Sequence, residues 1–207
     1  MTELFISAFV TFFVVIDPPG CAPIFASLTA GAPQAHRRTM AIRAVLVAAG
    51  ILLFFALLGE KLLGAMGISL DAFRVAGGIM LFMIAVDMVF EKRTERREHR
   101  ADDIKAHPEH EDISVFPMAI PMIAGPGSIA SVMLLTAQAR GFEATMTVLG
   151  ALATVLTISV TMLLAAGPVM KALGYKMEAM ITRILGVVLA ALAAQYVIDG
   201  VKAAFGL

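Results

Sequence analysis

One uncharged run near the start of this chain restricts its fold more than any other feature. Between Leu4 and Ala35 lie 32 residues, and Asp17 is the only one with a formal charge. Such a run crosses a bilayer, because about 20 helical residues span a hydrocarbon core roughly 30 Å thick. Its centre, however, reads I-D-P-P-G-C-A-P-I-F, residues 16 to 25. Proline lacks an N–H and clashes with the preceding turn, so it ends a helix, yet it is favoured at the first position of a new one. Asp17 followed by Pro18 therefore reads as the N-cap of a second half-helix running through Cys21–Thr29. As a plain cap, Asp17 would have no ligand chemistry. Its depth favours function: a mid-membrane carboxylate costs about 2.5–3.5 kcal/mol on insertion scales, and such residues usually line cavities or pathways.

Five more apolar segments follow: Ala44–Gly59, Val75–Phe90 (beginning near Leu70), Ile113–Ala139, Ala144–Met170, and Ala179 to Ile198. Of the 207 residues, 59% are hydrophobic and 15% charged, against about 45–50% and 25% in soluble domains. The chain is an integral membrane protein, and its spans must be helical because an open strand edge cannot be satisfied in lipid. The start, Met-Thr-Glu, lacks a basic n-region, so the first run is expected to remain as a helix. Zero formal net charge gives no footprint for nucleic acid. The single Cys21 excludes an intramolecular disulfide or a CxxC pair. The spans show no acid–base pair, nucleophile–base set or metal-ligand spacing, so neither an enzyme nor a cofactor or metal is expected.

Residues 91–112 hold 14 of the 32 charged residues and divide the chain into halves of three segments each. This stretch reads as a solvated, partly helical linker; its His99, His107 and His110 match no zinc signature. Placing residues 31–43, 91–112 and 171–183 on one side collects twelve Lys and Arg against four. That side is cytoplasmic by the positive-inside rule, which puts both termini outside. With an odd number of spans, the second half enters the membrane in the opposite sense to the first. Asp87 lies near the cytoplasmic interface and reads equally as a snorkelling or a functional residue. Arg74 and Arg183 are candidates for ion pairs with Asp71 or Glu178, and Gly77, Gly78 and Gly186 for close helix packing.

A shift of 107 residues lays Ile16, Pro19, Gly20, Thr29 and Ala30 on Ile123, Pro126, Gly127, Thr136 and Ala137. A shift of 109 lays Arg74 and Gly77 on Arg183 and Gly186. The expected architecture is an all-α membrane protein of six transmembrane helices. They form two inverted three-helix repeats, residues 1–90 and 113–207, joined by the linker 91–112, and the first helix of each repeat is broken at its Pro/Gly motif. Interrupted helices at matching positions of inverted repeats point to a secondary transporter's midplane site. Two half-helix N-termini suit a carboxylate, while Asp17 and unwound carbonyls suit a cation or ammonium group. An amino acid zwitterion has both.

The stretches D-P-P-G-C-A-P-I-F (17–25), F-P-M-A-I-P-M-I-A-G-P-G-S-I (116–129), R-I-L-G (183–186) and D-G (199–200) resemble the MarC family, also described as neutral amino acid transporters of the SnatA type. The resemblance covers essentially the whole chain. It implies a six-span protein of the bacterial inner membrane that moves glycine, alanine or similar small amino acids. Carried over by motif, it implicates Asp17, Pro18, Gly20 and Pro23, then Pro121, Gly125, Pro126 and Gly127, with Cys21 and Ser128 beside them. Cys21 stands where the family commonly has an asparagine, losing an amide that both donates and accepts. The reading is alternating-access transport, coupled to H⁺ or Na⁺, with the lipid bilayer as surroundings and an oligomer compatible. Its rivals are a non-transporting membrane scaffold and an ion or metal channel or exporter.

Overall fold

The computed structural model describes residues 1–93, 95, 96 and 112–206, with side chains for all of these except 169–175 and 178. Every long element is helical: α1 (Thr2–Ile16), α2 (Pro18–Leu28), α3 (Gln34–Ala65), α4 (Leu70–Val89), α5 (Ser114–Ile123), α6 (Pro126–Gln138), α7 (Phe142–Leu164) and α8 (Ala166–Phe205). Among the described residues, five helical stretches are long and apolar enough to cross a membrane. The α5–α6 pair, bent by 54°, raises this to six if it counts as one span. Large apolar side chains such as Leu46, Leu57, Phe82, Met83 and Val187 lie exposed on the outer faces. Lipid is the solvent in which such exposure is stable.

The sixth segment is longer than its apolar core suggests. The fifth uncharged run extends to Met170 in sequence, but α7 stops at Leu164 and α8 begins at Ala166. Pro168 then falls in the first turn of α8, where its missing N–H has no intrahelical partner to lose.

Small residues set the closest packing. Helices α4 and α8 run antiparallel along a seam where a Cβ on Gly78 would lie 2.8 Å from Val197, one on Gly186 2.9 Å from Met88, and one on Gly200 2.8 Å from Val75. The expected close approach at Gly78 and Gly186 is therefore between these two helices, whereas Gly77 faces Leu134 and Ala130 of α6. Arg74 pairs with Asp71 at 3.7 Å, as its position suggested. Arg183 meets Glu91 at 2.5 Å, while the Glu178 side chain lies outside the described residues.

Candidate functional site: two helix breaks around a shared cavity

Helix α1 ends because residues 18 and 19 are both proline. The carbonyls of Val14 and Val15 would ordinarily accept from the N–H groups four residues ahead, and Pro18 and Pro19 have none. Asp17 takes φ 58, ψ 65, a left-handed geometry tolerated by aspartate and characteristic of constrained sites. Its amide closes α1 by donating to the Phe13 carbonyl at 3.0 Å. Its carboxylate caps α2, with Oδ1 accepting from the Gly20 N–H at 3.1 Å. The Ile16 carbonyl, four residues before Gly20, accepts from the Cys21 thiol at 3.6 Å. Thus the thiol acts as a donor to the broken turn.

Asp17 is fully buried, and its second oxygen faces a cation from beyond α4. Glu91 adopts φ 60, and Arg93 follows two residues later. The Arg93 guanidinium donates through Nη2 to the Val15 carbonyl at 2.8 Å, while Nη1 lies 4.0 Å from Asp17 Oδ2. Nη1 also approaches the Met88 sulfur at 3.0 Å. One linker arginine therefore serves a carbonyl orphaned by Pro19 and the buried carboxylate together.

The second break is built differently. Phe116 and Ile120, each preceding a proline, are extended at φ −128, ψ 125 and φ −123, ψ 122, because proline's ring excludes the helical region for its predecessor. Between them the chain makes wide turns, closed by the Met118 N–H on the Ile113 carbonyl at 3.3 Å and the Ala124 N–H on the Ala119 carbonyl at 2.9 Å. The break falls at Ala124 and Gly125, as the repeat predicted, and Pro126 opens α6. A Cβ on Gly125 would run into the Pro121 carbonyl, and one on Gly127 would meet Ile84 at 2.6 Å and Val15 at 3.2 Å. No side chain caps α6. Its first N–H groups after Pro126 belong to Gly127 and Ser128.

The two breaks lie side by side, with Gly127 against Val15. Beside them is a cavity of about 180 Å³ lined by residues that include Val15, Ile84, Asp87, Arg93 and Arg96. Pro121, Gly125, Pro126, Gly127 and Ser128, all expected site residues, line it too. The expected residues of the first half, Asp17, Pro18, Gly20, Cys21 and Pro23, stand behind this wall; Asp17 reaches the cavity through Arg93. Two free N-termini were expected, but α2 has spent its first donors: two are prolines and the third holds Asp17. Only α6 offers an uncapped end.

Sequence reasoning missed Arg93 and Arg96, which it counted only for orientation. A buried carboxylate beside two orphaned carbonyls does demand a cation, but nothing in the sequence says which of many comes back to it. Asp87 lines the cavity and pairs with Arg96 at 2.5 Å. The linker histidines His99, His107 and His110 lie outside the described residues. Among the described residues no group of three or more His, Cys, Asp or Glu side chains is placed to hold a metal ion.

The sequence matches the family described as MarC family integral membrane protein over residues 2–205. The chain belongs to the MarC family. A UPF0056 membrane protein of Methanocaldococcus jannaschii is 39% identical over 202 residues, covering 98% of each chain. The UPF0056 membrane protein YvbG of Bacillus subtilis is 34% identical, covering 99% of this chain and 97% of its own. No solved structure matches. This MarC-family chain is thus a multi-pass membrane protein whose second proline motif lines a cavity that Val15, at the end of α1, also reaches.

Proposed function

We propose that the chain is a secondary transporter of small neutral amino acids such as glycine or alanine. It would work by alternating access across a bacterial inner membrane, with H⁺ or Na⁺ as coupling ion. The observation that carries this reading is the meeting of both broken helices at one polar cavity within an otherwise apolar bundle. Its volume of about 180 Å³ is well above what one water needs and leaves room for a molecule as small as glycine or alanine. The uncapped α6 N-terminus suits the substrate carboxylate. Asp17 and the Val15 carbonyl suit its ammonium group or a coupling cation.

Inverted repeats, residues 1–90 and 113–207 around the linker 91–112, support alternating access. Packing pairs occur in mates: α1 with α7 answers α5 with α3, α2 with α7 answers α6 with α3, and α2 with α8 answers α6 with α4. The Thr29 hydroxyl donates to the Phe25 carbonyl at 2.7 Å, and Thr136, 107 residues on, donates to that of Val132 at 2.7 Å. Both termini would face outward, as the distribution of lysine and arginine indicates.

The test is flux of radiolabelled alanine and glycine in proteoliposomes, with and without proton or sodium gradients. Gradient-driven accumulation is the expected result. Absence of any flux with intact, correctly inserted protein overturns the reading and leaves a scaffold or ion pathway.

A further inference from the structure

We infer that the Arg93 guanidinium is a tethered stand-in for the cationic group that this site is built to receive. The inference rests on the transport reading and identifies what holds the site when substrate is absent. Three observations point to it. Pro18 and Pro19 leave the carbonyl end of α1 without its usual N–H partners, and that end attracts positive charge by its dipole. Asp17, fully buried, adds a full negative charge at the same place. Arg93 meets both groups at once, at 2.8 Å from the Val15 carbonyl and 4.0 Å from Asp17. These are the partners that a substrate ammonium or a coupling cation would seek.

The guanidinium comes from beyond the end of α4, not from the bundle core. Glu91, with φ 60, marks the turn that precedes it, and Arg96, one turn further on, is tied to Asp87 at the cavity rim. Arg93 is therefore carried on a segment outside both broken helices, and its guanidinium is not part of either one's backbone. When an external cation enters, the arginine withdraws. When the site empties, it returns, so that Asp17 never faces the membrane interior uncompensated.

Such a stand-in predicts a specific pattern. In lipid nanodiscs, Arg93→Gln should lower the thermal midpoint by several degrees, because it strands the Asp17 charge. Adding Asp17→Asn should restore most of that loss, and millimolar methylguanidinium should raise the midpoint of Arg93→Gln but not of wild type. Losses that simply add in the double variant, with no rescue by methylguanidinium, overturn the inference. If Arg93→Gln does not assemble, the double variant still should, having no charge to balance, and failure of both also overturns it.

In proteoliposomes, Arg93→Gln should bind radiolabelled alanine about tenfold more tightly, equivalent to about 1.4 kcal/mol, because no internal competitor must be displaced. Net uptake should fall relative to alanine–alanine exchange, since only net uptake requires the empty site to cross the cycle. Arg93→Lys, which keeps a cation, should stay close to wild type in that ratio. Weaker alanine binding by Arg93→Gln would place Arg93 on the substrate itself and overturn the stand-in role. If the wild type carries no amino acid, the transport reading falls, while the stability measurements, which need no substrate, still decide the pairing of Arg93 with Asp17.

Discussion

The two helix breaks share a Pro-Gly sequence and lie side by side, yet they differ in charge. The first carries its own anion: Asp17 caps α2 and draws in Arg93. The second carries none; Gly125 occupies the capping position, and α6 ends bare toward the cavity. One break is closed by its own side chain and a borrowed arginine, and the other has no side-chain cap. Two similar Pro-Gly stretches thus give different helix starts, with Asp17 at one capping position and Gly125 at the other.

The largest expected effects come from removing the anion of the first break. Asp17→Ala loses the cap and strands Arg93, at a cost of about 3–5 kcal/mol. Asp17→Asn strands Arg93 as well but keeps an oxygen to cap Gly20, so its loss should be smaller than that of Asp17→Ala by about 1 kcal/mol, the contribution of the cap. Both should abolish gradient-driven accumulation in proteoliposomes. Thermal unfolding in nanodiscs separates the two variants; equal stability would mean that the cap contributes nothing. Wild-type accumulation by Asp17→Asn would show that the difference in charge between the breaks has no part in coupling.

At the second break the sharpest perturbation is steric. Gly125→Ala places a methyl against the Pro121 carbonyl, which is backbone and cannot turn aside. A loss of about 1–3 kcal/mol and weakened alanine binding are expected. Unchanged binding would show that the wide turns of α5 do not shape the cavity.

A smaller effect is expected at Cys21. Cys21→Ala removes the donor to the Ile16 carbonyl and should cost about 1 kcal/mol, with Cys21→Ser recovering most of it. If serine fails to recover stability, the thiol contributes by packing and not as a donor.

The smallest effect compares the anchoring of the linker at its two ends. Asp112, just before α5, accepts from the Ser114 amide at 3.0 Å and from the Ser114 hydroxyl, and pairs with Arg43. The Ser114 hydrogen bonds hold its carboxyl below the ordinary value, with Arg43 adding to the effect and burial opposing it. A lowered folded-state value gives stability that is present above the unfolded pKa of about 3.9 and is lost as pH falls through the folded value. The group is partly exposed, so solvent screens the contribution. Asp112→Asn should therefore lower the thermal midpoint slightly at neutral pH, and the difference should shrink as pH falls below about 4 and vanish only once it is below the folded value. A difference that persists there would assign the effect to shape, not charge.

Helix type and both break positions were legible because each follows from local chemistry, and the span number was legible to within the bent α5–α6 pair. Apolar length sets the spans, and Pro18 and Pro126 set the starts of α2 and α6. The site was legible only in part. Nothing local reveals that Arg93 folds back across 78 residues of chain separation to reach Val15, since arginine is reachable from many places and the linker holds several. Nor does the Pro-Gly motif show that α2 has no free donor. That requires following each N–H to its acceptor. Gly200 was visible only as part of a motif; its closeness to the α4 backbone depends on the register of two helices distant in sequence.

The seam between α4 and α8 fixes register as well as distance. Val75, Met88 and Val89 of α4 lie over Gly200 and Gly186 of α8, and Val197 of α8 lies over Gly78 of α4. Each bulky side chain thus rests on a glycine of the opposite helix, where the neighbouring backbone is within reach. Sliding one helix along the other by a residue would set side chain against side chain at all three places and force the helices apart.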